Sequence, residues 1–316
     1  MQSNRRPVTV GYLATGACLA VLASLIFFRP VVHGDAAVAA PLGEILLWSS
    51  LLPRIVTAIC AGACLGLTGA LLQRILRNPI ADASTLGIAA GAELALVAAL
   101  SFTPVLIGYG REVVAFSGAM IAVLLVLFLS WRKGFDPVTV AVSGLIISMI
   151  TASITITIVL ARGEYALSVS IWGAGSLNQQ DWQGVITLVP RFALGFLLAL
   201  LLARPLDVMA LDEASARSLG VSLLWIRLSI LLLAVWLAAS VTATVGVIGF
   251  LGLASPAIAR LCGARTTRQV LVAAPIVGAI ILFLTDGLSQ IIGPGFSDLA
   301  PAGAITALMG GPVLLF

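Results

Sequence analysis

Long uncharged runs alternate with short charged breaks from one end of the chain to the other. Neither Ile55–Leu72 nor Ala115–Leu129 contains a charged residue. Breaks rich in arginine, proline or glycine divide the chain into about ten apolar segments: 11–28, 51–72, 84–100, 113–131, 138–160, 185–203, 224–244, 246–262, 269–292 and 302–316. Most are near the length a helix needs to cross a bilayer, and the eighth and tenth are short. The pattern predicts an all-α, polytopic membrane protein with about ten transmembrane helices in a single domain, residues 1–316.

Composition strengthens this reading. Of 316 residues, 60% are hydrophobic and only 9% charged, and the mean hydropathy is +1.15. A soluble domain carries about 25% charged residues. The solvent for most of this surface is therefore lipid. The 31 glycines suit helices that pack backbone to backbone in a bilayer.

Basic residues set the orientation. With a cytoplasmic N-terminus, Arg5, Arg6, Arg74, Arg77, Arg132, Lys133, Arg204, Arg217, Arg227, Arg260, Arg265 and Arg268 fall inside. Arg29, Arg54, Arg111, Arg162 and Arg191 fall outside. The net charge of +4 follows from this bias and requires no nucleic-acid partner. Arg5, Arg6 and the run after them also fit a secretory signal, but the run exceeds the usual signal core, favouring a retained helix.

Candidate chemistry is sparse. Cys60 and Cys64 share a helix face, but the only histidine, His33, lies in a polar loop, so no metal site is expected. The chain has one lysine, Lys133, in WRKGFD, and so lacks the lysine of a phosphate-binding loop. No nucleotide site, bound cofactor or catalytic constellation is expected. Glu93 and Asp286 lie within apolar segments. Either could be polar packing or sit near a helix end; a proton or ion relay of a secondary transporter is the rival reading. Gly62, Gly66 and Gly69 line one side of the second segment for close helix contact. Arg77-Asn78-Pro79 breaks that helix, and Ser84 or Thr85 is expected to cap the next.

The stretch ALDEASARSLGV, 210–221, stands apart as a short polar helix in a cytoplasmic loop. Asp212 suits its N-cap, Glu213 its first turn and Gly220 its C′ position. Two readings fit the pattern: a helix lying on lipid headgroups, or a docking knob for a cytoplasmic protein.

Several elements occur together and in order: LLPR (51–54), GACLGLTGALLQRILRNPIADASTLGIAAGA (62–92), WGAGSLNQQDW (172–182), ALDEASARSLGV, GVIGFLGLASPAIARLCG (246–263) and ITALMGGPVLLF (305–316). They resemble the permeases of bacterial iron–siderophore and cobalamin ABC importers. Within that family the likeness is greatest to the amino-terminal half of the ferric hydroxamate permease, whose two halves are fused. The resemblance implies a type II importer permease in the bacterial inner membrane, with ten helices per unit and two units around one pathway. It implies a fused half or a homodimer partner, two cytoplasmic ATPase subunits that use the ATP, and a periplasmic siderophore-binding protein. The chain stops at Phe316, inside its last apolar segment, as a half of a fused permease would.

The same resemblance assigns positions. Asp212, Glu213, Ala216, Arg217, Leu219 and Gly220 would contact the ATPases. Arg54 would dock the binding protein, although Leu51 stands where the family element has its first arginine. Asp136, Pro137, Val138, Thr139 and Ser143 would form the cytoplasmic gate. Trp172, Asn178 and Gln179 would face the periplasmic mouth, with Trp172 equally suited to anchor at the interface. The implied cargo is a ferric siderophore, with hydroxamates first and cobalamin or haem as alternatives within the family.

Overall fold

The computed structural model describes residues 47–105, 110–162, 175, 177, 179, 181–208, 223–292, 303 and 306. Every described element is helical. A π-helical turn, Leu47–Leu51, leads into α1, Leu52–Ile75. A 3-10 turn at Ala83–Leu86 precedes α2, Ile88–Phe102. Then come α3 (Arg111–Ser130), α4 (Pro137–Arg162), α5 (Gln183–Leu201) and the short α6 (Ala203–Val208). The described chain continues with α7 (Leu223–Val245), α8 (Leu251–Leu261) and α9 (Thr267–Ile292).

Six of these helices are long and apolar enough to cross a membrane, and α2 and α8 are shorter apolar helices. The expected first and tenth segments lie outside the described residues, apart from Gly303 and Thr306. The eighth segment differs most from expectation. It becomes helical only at Leu251, because Gly246 (φ 79°) and Phe250 (φ 65°) take left-handed backbone that an α-helix cannot hold.

α1 is buried on nearly every side, as a helix apolar all round should be. It packs most extensively on α9. The two run antiparallel in strict register: Arg54 meets Asp286, Gly62 meets Gly278, and Gly66 meets Ala274. Each advance along α1 is matched by an equal retreat along α9. A Cβ on Gly62 would sit 2.9 Å from Ala279 Cα, and one on Gly66 would collide with the Ala274 carbonyl. With lipid outside giving no hydrophobic drive between helices, such backbone approach supplies the packing energy.

α4 shows the opposite character. Val140, Ser143, Gly144, Ile147, Thr151 and Thr155 form one buried stripe at three- and four-residue spacing. Val142, Ile146, Met149, Ile150 and Ile154 lie on an open apolar flank. Only 17% of its apolar window is buried.

Candidate functional site

Long-range polar contacts gather where α1 ends, on the side the charge bias assigns to the cytoplasm. Gln73 sits at the end of an uncharged span and is buried. Its Nε2 donates to the carbonyls of Gly252 and Leu253, each at 3.3 Å, and its Oε1 accepts from Arg260 Nη1 at 3.0 Å. These are the second and third carbonyls and the tenth residue of α8, so one amide grips both ends of that half-length helix. Gly69 completes the joint: a Cβ there would lie 2.6 Å from Gly252 Cα.

Asp82 holds the same helix from its other side. It is 3% exposed and caps the 3-10 turn, accepting from Ala83 N at 2.6 Å, while Thr85 Oγ1 accepts from Asp82 N in return. Its carboxylate also meets the backbone N–H of Phe250, where α8 begins. Asp82, not Ser84 or Thr85, is therefore the cap. An acidic side chain satisfies the orphan N–H groups of two converging helix starts at once. Burial nonetheless wins over these donors and pushes its carboxyl up to about 6. A Cβ on Gly252 would strike this carboxylate, so glycine is needed there.

Asp207, near the end of α6, ties three elements together. Arg74 Nη2 of α1 lies 3.5 Å from its Oδ1, and Thr267 Oγ1, in the first turn of α9, donates to the same oxygen. The loop that follows holds Asp212, Glu213, Ala216, Arg217, Leu219 and Gly220, and lies outside the described residues.

The expected gate residues cluster at the start of α4. Phe135 (φ 57°) and Gly134 (φ 61°) reverse the chain after α3. Asp136 then caps α4: its Oδ2 accepts from Thr139 N at 3.1 Å and Thr139 Oγ1 at 3.2 Å, with Pro137 at the first helical position. Val138 is exposed, whereas Ser143 is buried. Beside Ser143, Gly144 packs against the Thr85 carbonyl, which links the α4 start to the 3-10 turn that Asp82 caps.

At the opposite end Arg54 and Asp286 form a two-pronged ion pair, Nε to Oδ2 at 2.9 Å and Nη2 to Oδ1 at 2.8 Å. Their side chains are 20% and 4% exposed. Asp286 is thus paired with Arg54, and the pair closes the α1–α9 seam. Glu93 lies half-buried in α2. Gln179 lies nearby in chain terms to a second cluster, in which its carbonyl accepts from Ser50 Oγ at 3.3 Å and Trp182 Nε1 donates to Trp48 O at 2.9 Å. Trp172 and Asn178 lie outside the described residues. Among the described residues no three His, Cys, Asp or Glu side chains group as metal ligands.

The model of the FecCD transport family matches residues 12–316. The chain belongs to the FecCD transport family. It is 38% identical over 274 residues to the iron(3+)-hydroxamate import system permease protein FhuB of Salmonella typhimurium, covering 86% of this chain and 40% of that protein. The FhuB of Escherichia coli matches to the same extent, with 41% of it covered. The chain thus spans about two fifths of the length of these relatives. It is 34% identical to the Fe(3+) dicitrate transport system permease protein FecC of Escherichia coli, over all of this chain and 98% of that one. Among solved structures, a metal-chelate type ABC transporter in an inward-facing conformation superposes with a TM-score of 0.84 at 25% identity, covering 96% of this chain and 97% of its own.

Within this FecCD chain the QRILRNPIADAS element (73–84) had been legible as a motif but not as a joint. Gln73, Asp82 and Arg260 act together through the start and end of α8, which begins 178 residues after Arg74's neighbour Gln73. One signal was available: Gln73 is the first polar amide after a long uncharged run, and such a group needs a partner in a bilayer. Asp207 carried no signal of its own, since Arg204-Pro205 reads as an ordinary helix stop.

Proposed function

We propose that the chain is the membrane permease of an ATP-driven importer that moves ferric siderophores, iron-hydroxamates first, from periplasm to cytoplasm by alternating access. The observation that carries this reading is the FecCD family match across residues 12–316. The iron(3+)-hydroxamate relatives at 38% identity support the cargo class, with the iron chelate as substrate and no metal resident in the chain.

In this reading the chain itself hydrolyses nothing. Two ATPase subunits in the cytoplasm take up the loop through Asp212, Glu213, Ala216, Arg217, Leu219 and Gly220, and a periplasmic binding protein delivers cargo at the opposite face, with Arg54, Trp172, Asn178 and Gln179 as its contacts. A second permease unit, a fused half or another copy, covers the open flank of α4, and Asp136, Pro137, Val138, Thr139 and Ser143 at its cytoplasmic start form the gate. Displacement of the loop reaches Asp207 first, and from there passes to α9 through Thr267. Because α1 and α9 are locked in register over their length, they move as one body, and α8 follows through Gln73.

The test is uptake of ferric hydroxamate into vesicles holding the permease, its ATPase and its binding protein. ATP-dependent uptake lost on removal of the ATPase is expected. Uptake that persists without the ATPase and collapses with a protonophore would overturn the reading in favour of an ion-coupled transporter.

A further inference from the structure

Two cavities share Arg74 and Arg260 in their walls at the end of α1. The larger, about 360 Å³, is bounded by Arg74, Arg77 and Arg260 with Gln73, Asn78 and Pro79. The smaller, about 70 Å³, is bounded by Arg74, Arg260, Arg265 and Thr267 over an apolar floor that includes Ala70 and Leu271. Arg74 and Arg260 line both, and among the described residues no carboxylate lines either.

Three guanidiniums line each hollow, and like charges this close repel each other, while the acid bonded to Arg74 offsets little of that. Asp207 reaches it only at 3.5 Å, with a side chain 59% exposed; such a pair is weak in water. Arg260 is held in place by Gln73 rather than by a charge. The planar fork of arginine matches the oxygens of a phosphate group two at a time.

The rim indicates where such a phosphate comes from. Ile80 and Leu261 are both well exposed, and each directly follows a pocket residue, Pro79 and Arg260 respectively. Open apolar side chains beside a basic hollow suit a headgroup bound with its acyl carbons alongside. Charge bias puts this end at the cytoplasmic leaflet, where anionic lipids concentrate and basic pockets between helices take their headgroups.

We propose that the arginine-lined hollow at the cytoplasmic end of α1 binds a phosphate group, supplied by the headgroup of an anionic phospholipid. Free inorganic phosphate is the other source of the same chemistry. The site draws on α1, α8 and α9 together, so an occupant bridges the three helices beside the Arg74–Asp207 contact. The inference is independent of the cargo and of the transport direction.

The experiment uses the full chain in lipid nanodiscs with spin-labelled phosphatidylglycerol or phosphatidylcholine as probe, reading the immobilised fraction. Phosphatidylglycerol is expected to bind about tenfold more tightly than phosphatidylcholine. The pair Arg77→Gln and Arg265→Gln leaves the Gln73 and Asp207 bonds intact, and together they should erase most of that preference. Arg74→Gln with Arg260→Gln should do the same, and Arg132→Gln, outside the hollow, should not. Inorganic phosphate that displaces the probe in the unmodified protein but not in the paired variants supports the site with free phosphate as an occupant. Equal binding of the two lipids without displacement by phosphate overturns the proposal. So does a phosphatidylglycerol preference that survives both paired variants.

Discussion

Arg54 and Asp286 lie 232 positions apart in the chain, yet their ion pair fixes the register of the two most closely packed helices. Removing one partner leaves a charge largely shut from water, which costs about 3–5 kcal/mol in buried pairs, whereas replacing both by apolar residues can be close to neutral. Asp286→Leu alone should therefore lower the thermal midpoint sharply, and Arg54→Leu with Asp286→Leu should recover most of the loss. A double-mutant cycle by thermal unfolding in detergent measures this. Additive losses would show that the two side chains do not act as a pair.

The glycine seam makes a graded prediction. A methyl group at Gly69 has nowhere to go against Gly252, and overpacking of this kind costs about 1–3 kcal/mol. Gly287→Ala in α9 meets nothing within 4 Å, and should be neutral or stabilising by about 0.5–1 kcal/mol. Comparing the yield of monodisperse protein and the thermal midpoint for the two variants checks the contrast; a Gly69→Ala protein as stable as Gly287→Ala would contradict the close approach.

Asp82 predicts a pH dependence with a definite sign. Its carboxyl moves from an ordinary value of 3.8 to about 6 in the folded protein. The folded state therefore holds the proton more tightly than the unfolded one. The stability this brings is complete below about pH 4 and is lost as pH rises through 6. A shift of that size corresponds to about 3 kcal/mol. Asp82→Asn removes the titration while keeping an acceptor for Ala83. Unfolding midpoints compared between pH 4 and 7 should fall with rising pH by a larger amount in the unmodified protein than in Asp82→Asn; parallel curves would refute the assignment.

Orientation is testable through cysteine. Cys262 is exposed beside Arg260, whereas Cys64 is buried in α1. With Cys18 replaced by serine, a membrane-impermeant maleimide should label inside-out vesicles at Cys262 and leave right-side-out vesicles unlabelled. The reverse pattern would invert the topology.

In the loop 210–221, Arg217→Glu or Gly220→Pro should leave membrane insertion intact and uncouple transport from ATP hydrolysis in reconstituted vesicles. Normal coupling in both would remove the docking assignment.

The sequence was most informative where a single local rule decides. The uncharged runs predict α3, α4, α5 and α7 to within a few residues, because a lipid solvent leaves the backbone no alternative to a helix. The glycines of α1 were legible as a contact face, but their partners were not: nothing near Gly69 in the chain names Gly252. The cap before α2 was misplaced because Ser84 and Thr85 look like caps locally, and only the arrival of Phe250 from α8 makes Asp82 the residue that satisfies two helix starts. Arg54 was legible as a cation at the start of a span, and its partner was hidden by distance along the chain. What was missed are the long-range polar contacts, which pattern and periodicity do not encode.

The half-covered α4 bears on how a transporter is put together. A helix whose outer flank is aliphatic is as much at ease among acyl chains as against another protein, since the two media are nearly alike in polarity. The chain can thus rest in the bilayer complete in its own packing, with that flank against acyl chains. A chain whose flank no protein covers is not thereby an unfolded one.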